Sequence, residues 1–175
     1  MRALPFCFAC IVAAQPPFSS VPPLREDTLR FAEQIPDFEA KDISGRTWRR
    51  VDFAGKFTVV YIWHTFGGDI PRFSELPEIQ RFYNKVKGAK NLQVLTFCSD
   101  YDYTHAPAYM RRKGYTFPVI AEWTLLRKLF PNDRMPGRFG VINPDERLSY
   151  PTRTWSFGRL LFEVERAATP AAEPK

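Results

Sequence analysis

The sequence predicts an α/β fold in which a mixed central β-sheet is flanked by helices and preceded by a β-hairpin extension. Three observations carry this. Residues 57–63 (FTVVYIW) form a continuous apolar, β-branched run, as expected of a strand buried on both faces, and residues 92–97 (LQVLTF) read as a second buried strand. Between them, residues 71–86 space Phe73, Leu76, Ile79, Phe82, Tyr83 and Val86 by three and four, the period of an amphipathic helix. A strand–helix–strand unit makes its two strands parallel, whereas the later turn Asn143-Pro144-Asp145-Glu146 joins antiparallel ones, so the sheet is mixed.

The elements follow in order. Residues 37–41 (DFEAK) alternate apolar and polar, and Ser44-Gly45 turns the chain into residues 46–49, which reads as a hairpin. The helix over 71–86 contains Pro77 and is expected to kink there. The second buried strand ends at Cys98-Ser99-Asp100. Residues 104–113 suit a short helix stopped by Gly114. A short strand at 117–120 and a short helix at 124–130 come next. Residues 138–142 and 147–150 flank the Asn-Pro-Asp-Glu turn, and residues 156–167 form a closing helix with Leu160, Leu161 and Val164 inward.

Composition narrows the class. At 175 residues, with 45% hydrophobic and 15% aromatic residues, the chain has enough apolar material for one packed domain, which excludes an intrinsically disordered protein. No apolar run approaches the ~18–20 residues of a membrane-spanning helix. Three cysteines exclude a disulfide scaffold, and two histidines exclude a His-rich metal site, so no metal and no cofactor is expected. The formal charge of +6 is spread over Arg46/Arg49/Arg50, Lys85/Lys87/Lys90 and Arg111/Arg112/Lys113, with acids between. These read as solvated faces, and no nucleic-acid reading motif accompanies them.

The ends differ from the middle. Residues 1–14 read as a leader, with Arg2, an apolar stretch and a small-residue site at Val12-Ala13-Ala14, which points to export to the periplasm or medium. Residues 15–32 begin with the Pro- and Ser-rich QPPFSSVPP and read as linker and lead-in. The folded unit is placed at 33–168, with 169–175 as a tail. Cys7-Phe8-Ala9-Cys10 has C-x-x-C spacing but sits in the apolar leader with no strand before it. A redox pair needs its first thiolate at a helix N-terminus after a strand, so this pair reads as filler.

Several local signatures share one order. Pro36-Asp37-Phe38, Asp42, Ser44-Gly45, Val51 and Ala54-Gly55-Lys56 open the domain. Val59-Val60-Tyr61-Ile62-Trp63 follows, then Glu75-Leu76-Pro77. Arg134-Met135-Pro136 precedes Phe139-Gly140-Val141-Ile142 and the turn Asn143-Pro144-Asp145-Glu146-Arg147. Across residues 35–167 these pieces resemble the thioredoxin fold, specifically its TlpA/ResA-like and AhpC/TSA-like (redoxin) branch. The resemblance implies a thioredoxin-like fold and puts Pro136 at that family's cis-proline. It also implies that Met135 presents its backbone to an extended peptide as an added strand.

The departure from the family is chemical. Its strand ending in Trp runs into W-C-x-x-C, whose first thiolate attacks a disulfide and whose second resolves the mixed disulfide. Here the segment after Trp63 is His64-Thr65-Phe66-Gly67-Gly68-Asp69-Ile70-Pro71-Arg72, with no cysteine. Gly67 falls at the attacking position and Arg72 at the resolving one, in a loop about two residues longer than the family's. Exchange through this loop is excluded, and so is a peroxidatic cysteine within it. Gly67-Gly68 lacks the phosphate-loop pattern and reads as a turn.

The residues left with chemistry are few. His64 lies beside the degenerate loop, which carries Asp69 and Arg72, but no nucleophile accompanies it. His105 reads as surface. Cys98 is the one thiol of the folded unit, at the sheet edge where α/β sites gather, and is the candidate catalytic residue if any thiol chemistry survives. The expected function is a redox-inactive thioredoxin-like domain that binds a peptide or protein partner through Met135 and Pro136. The alternatives are an atypical thiol oxidoreductase or antioxidant protein using Cys98, and a structural subunit of a larger complex.

Overall fold

The computed structural model describes residues 29–65, 75–100, 104–130, 138–151 and 156–169. Their elements are β1 (Leu29–Gln34), β2 (Glu39–Lys41), β3 (Thr47–Arg49), β4 (Phe57–Trp63), α1 (Leu76–Val86), β5 (Leu92–Cys98), α2 (His105–Lys113), β6 (Val119–Ile120), α3 (Trp123–Leu129), β7 (Arg138–Ile142), β8 (Arg147–Pro151) and α4 (Phe157–Ala168). Six strands form one sheet in the order β1-β8-β7-β4-β5-β6. β4 pairs parallel with β5 in register from Phe57↔Leu92 to Trp63↔Cys98, and antiparallel with β7. The sheet is therefore mixed, as the strand–helix–strand unit and the later hairpin predict.

Period-two alternation along β4 divides the interior. Val59, Tyr61 and Trp63 face α1, α2 and α4, where they meet Ile79, Tyr109 and Leu160. Val60 and Ile62 face the other way, onto α3 and the hairpin, with Leu126, Trp48 and Phe53. Every residue of β4 is buried, because helices or the hairpin cover both sides. Each large apolar side chain sealed in this way contributes about 1.5–3 kcal/mol.

β2 and β3 form a separate two-stranded sheet, the predicted hairpin extension. Its turn is organised by Asp42. One carboxylate oxygen accepts from the Ser44 amide (2.8 Å), the Ser44 hydroxyl (2.6 Å) and the Arg46 amide (3.1 Å). The other accepts from the Trp48 indole at 2.9 Å. Gly45 sits at φ +90°, a backbone conformation that side chains resist. A bridge from Asp42 to Ile120, together with the Ile43 amide donating to the Val119 carbonyl at 2.9 Å, docks the turn on β6.

Two expectations need correction. Pro77 does not kink a helix beginning at 71; the described helix starts at Leu76 and carries Pro77 in its first turn. The amide that proline lacks is one that the first turn leaves unpaired in any case. The second concerns the start of the folded unit. Strand β1 begins at Leu29, inside the stretch read as lead-in, and pairs antiparallel with β8 from Leu29↔Pro151 to Gln34↔Arg147. The short strand expected at 117–120 narrows to Val119–Ile120, and the helix expected at 124–130 begins one residue earlier, at Trp123.

Helix ends follow local chemistry. α2 stops where Gly114 adopts φ +71° and its amide bonds back to the Arg111 carbonyl. α4 starts at Ser156, whose hydroxyl accepts from the Arg159 amide at 3.3 Å. At its far end the Asn91 side chain donates to the Ala168 carbonyl, and Lys85 pairs with Glu165 at 2.5 Å.

Candidate functional site

β4 and β5 are parallel and end side by side, so Trp63 and Cys98 are register partners at one edge of the sheet. This edge is where the chain leaves β4 for the cysteine-free segment after Trp63. Beyond Trp63, His64 and Thr65 are half-buried. The Ser99 amide and hydroxyl both donate to the Trp63 carbonyl, at 2.7 and 3.1 Å. Asp100 reaches across from β5, and the Thr65 amide donates to its two carboxylate oxygens, each at 3.1 Å. One acid thus holds the point at which the cysteine-free segment begins.

Cys98 belongs to the same knot. Its thiol donates to the Asp100 carboxylate at 3.4 Å. The residue is 0% exposed, packed in the core that Trp63 and Tyr109 share. Burial, above all, pushes the thiol up to about 12, and the Asp100 charge adds to the shift. At neutral pH the thiol therefore keeps its proton, where a reactive cysteine needs a depressed value and a path to solvent. The sheet edge does bring Cys98 beside the end of β4, as its position in the sequence predicts. It arrives there as a protonated donor to Asp100.

A second pair joins β4 to α1. The Tyr61 hydroxyl, on a side chain only 1% exposed, donates to the Glu75 carboxylate at the N-terminus of α1. Burial first, then the hydrogen bond to Glu75, raises the Tyr61 phenol well above its ordinary value. The phenol therefore stays a proton donor, and the Glu75 carboxylate lies where the helix dipole favours negative charge. Phe157 of α4 packs on Tyr61 with ring centroids 5.4 Å apart, locking the strand, the start of α1 and α4 together. The Trp63 indole donates to the Thr96 hydroxyl at 3.1 Å, and that hydroxyl donates to the Pro118 carbonyl at 3.0 Å.

The remaining predicted site residues do not all fall within this frame. Gly67, Gly68, Asp69, Arg72, Met135 and Pro136 lie outside the described residues, as do Cys7 and Cys10. His105 is exposed at the first position of α2. Among the described residues no three His, Cys, Asp or Glu side chains cluster as a metal site would require. No described helix is long and apolar enough to cross a membrane. Sequence reading missed Asp100, Tyr61 and Glu75 as a positioning set. The one available signal for the pair was a tyrosine hydroxyl in an apolar strand followed by an acid at a helix start.

Solved structures share this frame. A Neisseria meningitidis protein assigned as a thioredoxin superposes with a TM-score of 0.62 at 24% identity, covering 78% of this chain and 91% of that one. A Bacteroides thetaiotaomicron protein assigned as a protein disulfide isomerase gives a TM-score of 0.67 at 18% identity, with 81% and 92% covered. A secreted thiol-disulfide isomerase of Corynebacterium glutamicum gives 0.60 at 16%, with 78% and 86% covered. At these identities the likeness fixes the fold, which is thioredoxin-like. No curated protein matches the sequence significantly. The AhpC/TSA family pattern matches residues 31–153, from within β1 to just past the end of β8, and this chain therefore belongs to the AhpC/TSA family.

Proposed function

We propose that this family member has given up thiol–disulfide exchange and works by holding a peptide or protein partner. One observation carries the reading: the family's frame persists around a segment that contains no cysteine, while Cys98, the one cysteine among the described residues, is buried and protonated. The frame includes Trp63 at the strand end and Glu75-Leu76-Pro77 at the helix start. A platform with its strand ends fixed by Asp100 and its helix start fixed by Tyr61 suits recognition. Met135, next to Pro136, is the residue whose backbone would receive an extended partner segment. Export belongs to the same reading, supported by the leader-like residues 1–14 and by the likeness to a secreted isomerase.

The test measures disulfide-reductase turnover by the full chain under dithiol, beside Cys98→Ser and beside Cys7→Ser/Cys10→Ser. All three are expected at the rate of the dithiol alone. Turnover that disappears in Cys98→Ser would establish the thiol oxidoreductase reading instead, and turnover that disappears only in the double variant would move the chemistry to the leader pair. Binding is tested by selecting displayed peptides on the full chain and repeating the measurement with Met135→Pro, which removes the backbone donor. Affinity is expected to fall at least about tenfold.

A further inference from the structure

A cavity of about 320 Å³ lies between the hairpin turn, α1, α2 and the segment that leads into β6, and it shares no residue with the site at the ends of β4 and β5. That volume is at the lower end of the roughly 300–1,000 Å³ typical of small-molecule sites. Two of the basic clusters that look like separate solvated faces in the sequence meet here, because Arg46 and Arg111 both line it. Neither guanidinium pairs with a carboxylate among the described residues.

Arg46 is held by other means. Its guanidinium stacks 4.0 Å from the centroid of the Trp48 ring. Trp48 is itself buried, with its indole tied to Asp42. The planar donor fork is therefore fixed over an aromatic face without an acid occupying it. Asp42 is the one acid in the lining, and the four donors of the turn take up both its oxygens. Ile43, Met110 and Phe117 give the same lining an apolar part.

We infer that this cavity binds a small organic carboxylate with an apolar body. Arg46 and Arg111 would take the carboxylate, and Ile43, Met110 and Phe117 would cover the body. A neutral ligand leaves both guanidiniums, which belong to exposed residues, without an acidic partner, and a bare inorganic anion leaves the apolar part of the lining uncovered. The combination selects a molecule that is acidic at one end and apolar along the rest.

Amide-resolved NMR of the full chain, titrated with hydrocinnamate at low salt, tests this. Saturable shifts are expected at the amides of Ile43, Ser44, Gly45 and Arg46 and across residues 110–117. The neutral analogue hydrocinnamamide is expected to bind at least about tenfold more weakly. Arg111→Gln, an exposed position whose change leaves the core intact, is expected to weaken hydrocinnamate by a similar factor while the rest of the spectrum is unchanged. Equal affinity for acid and amide, unaltered binding in Arg111→Gln, or no saturable shift at these amides up to the solubility of the probe would each overturn the assignment.

Discussion

Asp42 and Cys98 show how differently two buried polar side chains act in one small domain. Asp42 is 6% exposed and satisfies four donors of the hairpin turn. Its replacement by alanine strands the Trp48 indole and two backbone amides, and is expected to cost about 3 kcal/mol. Urea unfolding of Asp42→Ala measures this, and a loss below about 1 kcal/mol would contradict the role given to the turn. Cys98 is buried in its protonated form. Below pH 9.0 the thiol keeps its proton in both the folded and the unfolded chain. Above pH 9.0 only the unfolded chain releases it, until the pH passes about 12. Folding stability should therefore fall with rising pH in that window, by about 1.4 kcal/mol per unit. Tyr61, raised in the same direction, adds to the loss above pH 10.0. Urea midpoints measured between pH 9.0 and 10.0 should show the decline, and Cys98→Ala should flatten it.

Elements were legible in the sequence where one force dominates. β4 and β5 stand out because helices or the hairpin cover both faces of the sheet, which favours apolar residues at most positions rather than at alternate ones. α4 is legible from Leu160, Leu161 and Val164, all buried, and from Ser156 as its cap. Ser156→Ala is expected to cost about 1 kcal/mol, read from the shift of the thermal midpoint. β1 was not legible. It is an edge strand, LRFAEQ, that begins six positions after the last proline of a Pro-rich stretch, and its reason for being extended is its partner β8 rather than its own composition. The Tyr61–Glu75 pair and the Asp100 knot were hidden for a related reason. Each joins residues distant in sequence, 14 positions apart in one case and 35 in the other, and no local period reports such contacts. The absence of cysteine after Trp63, by contrast, is a matter of residue identity and is plain from the sequence.

For the molecule as a whole, β1 completes one margin of the six-stranded sheet, and the Asp42–Ile120 bridge lies across the other beside two-residue β6. A chain that starts at residue 35 would leave β8 with an unpaired edge, a template for association with other chains. It is expected to melt lower and to aggregate, whereas a chain that starts at residue 29 keeps β1; light scattering during a thermal ramp separates the two. Equal behaviour of both truncations would show that β1 adds nothing to the sheet. The pairing also has a consequence for biogenesis. β1 leaves the ribosome first among the strands, yet its partner Pro151 follows Leu29 by more than a hundred residues. At roughly 5–20 residues per second of synthesis, the first strand waits several seconds for the last one. Closure of the sheet is thus deferred until translation of the domain is nearly complete, and until then the nascent chain remains open to whatever carrier or channel meets it.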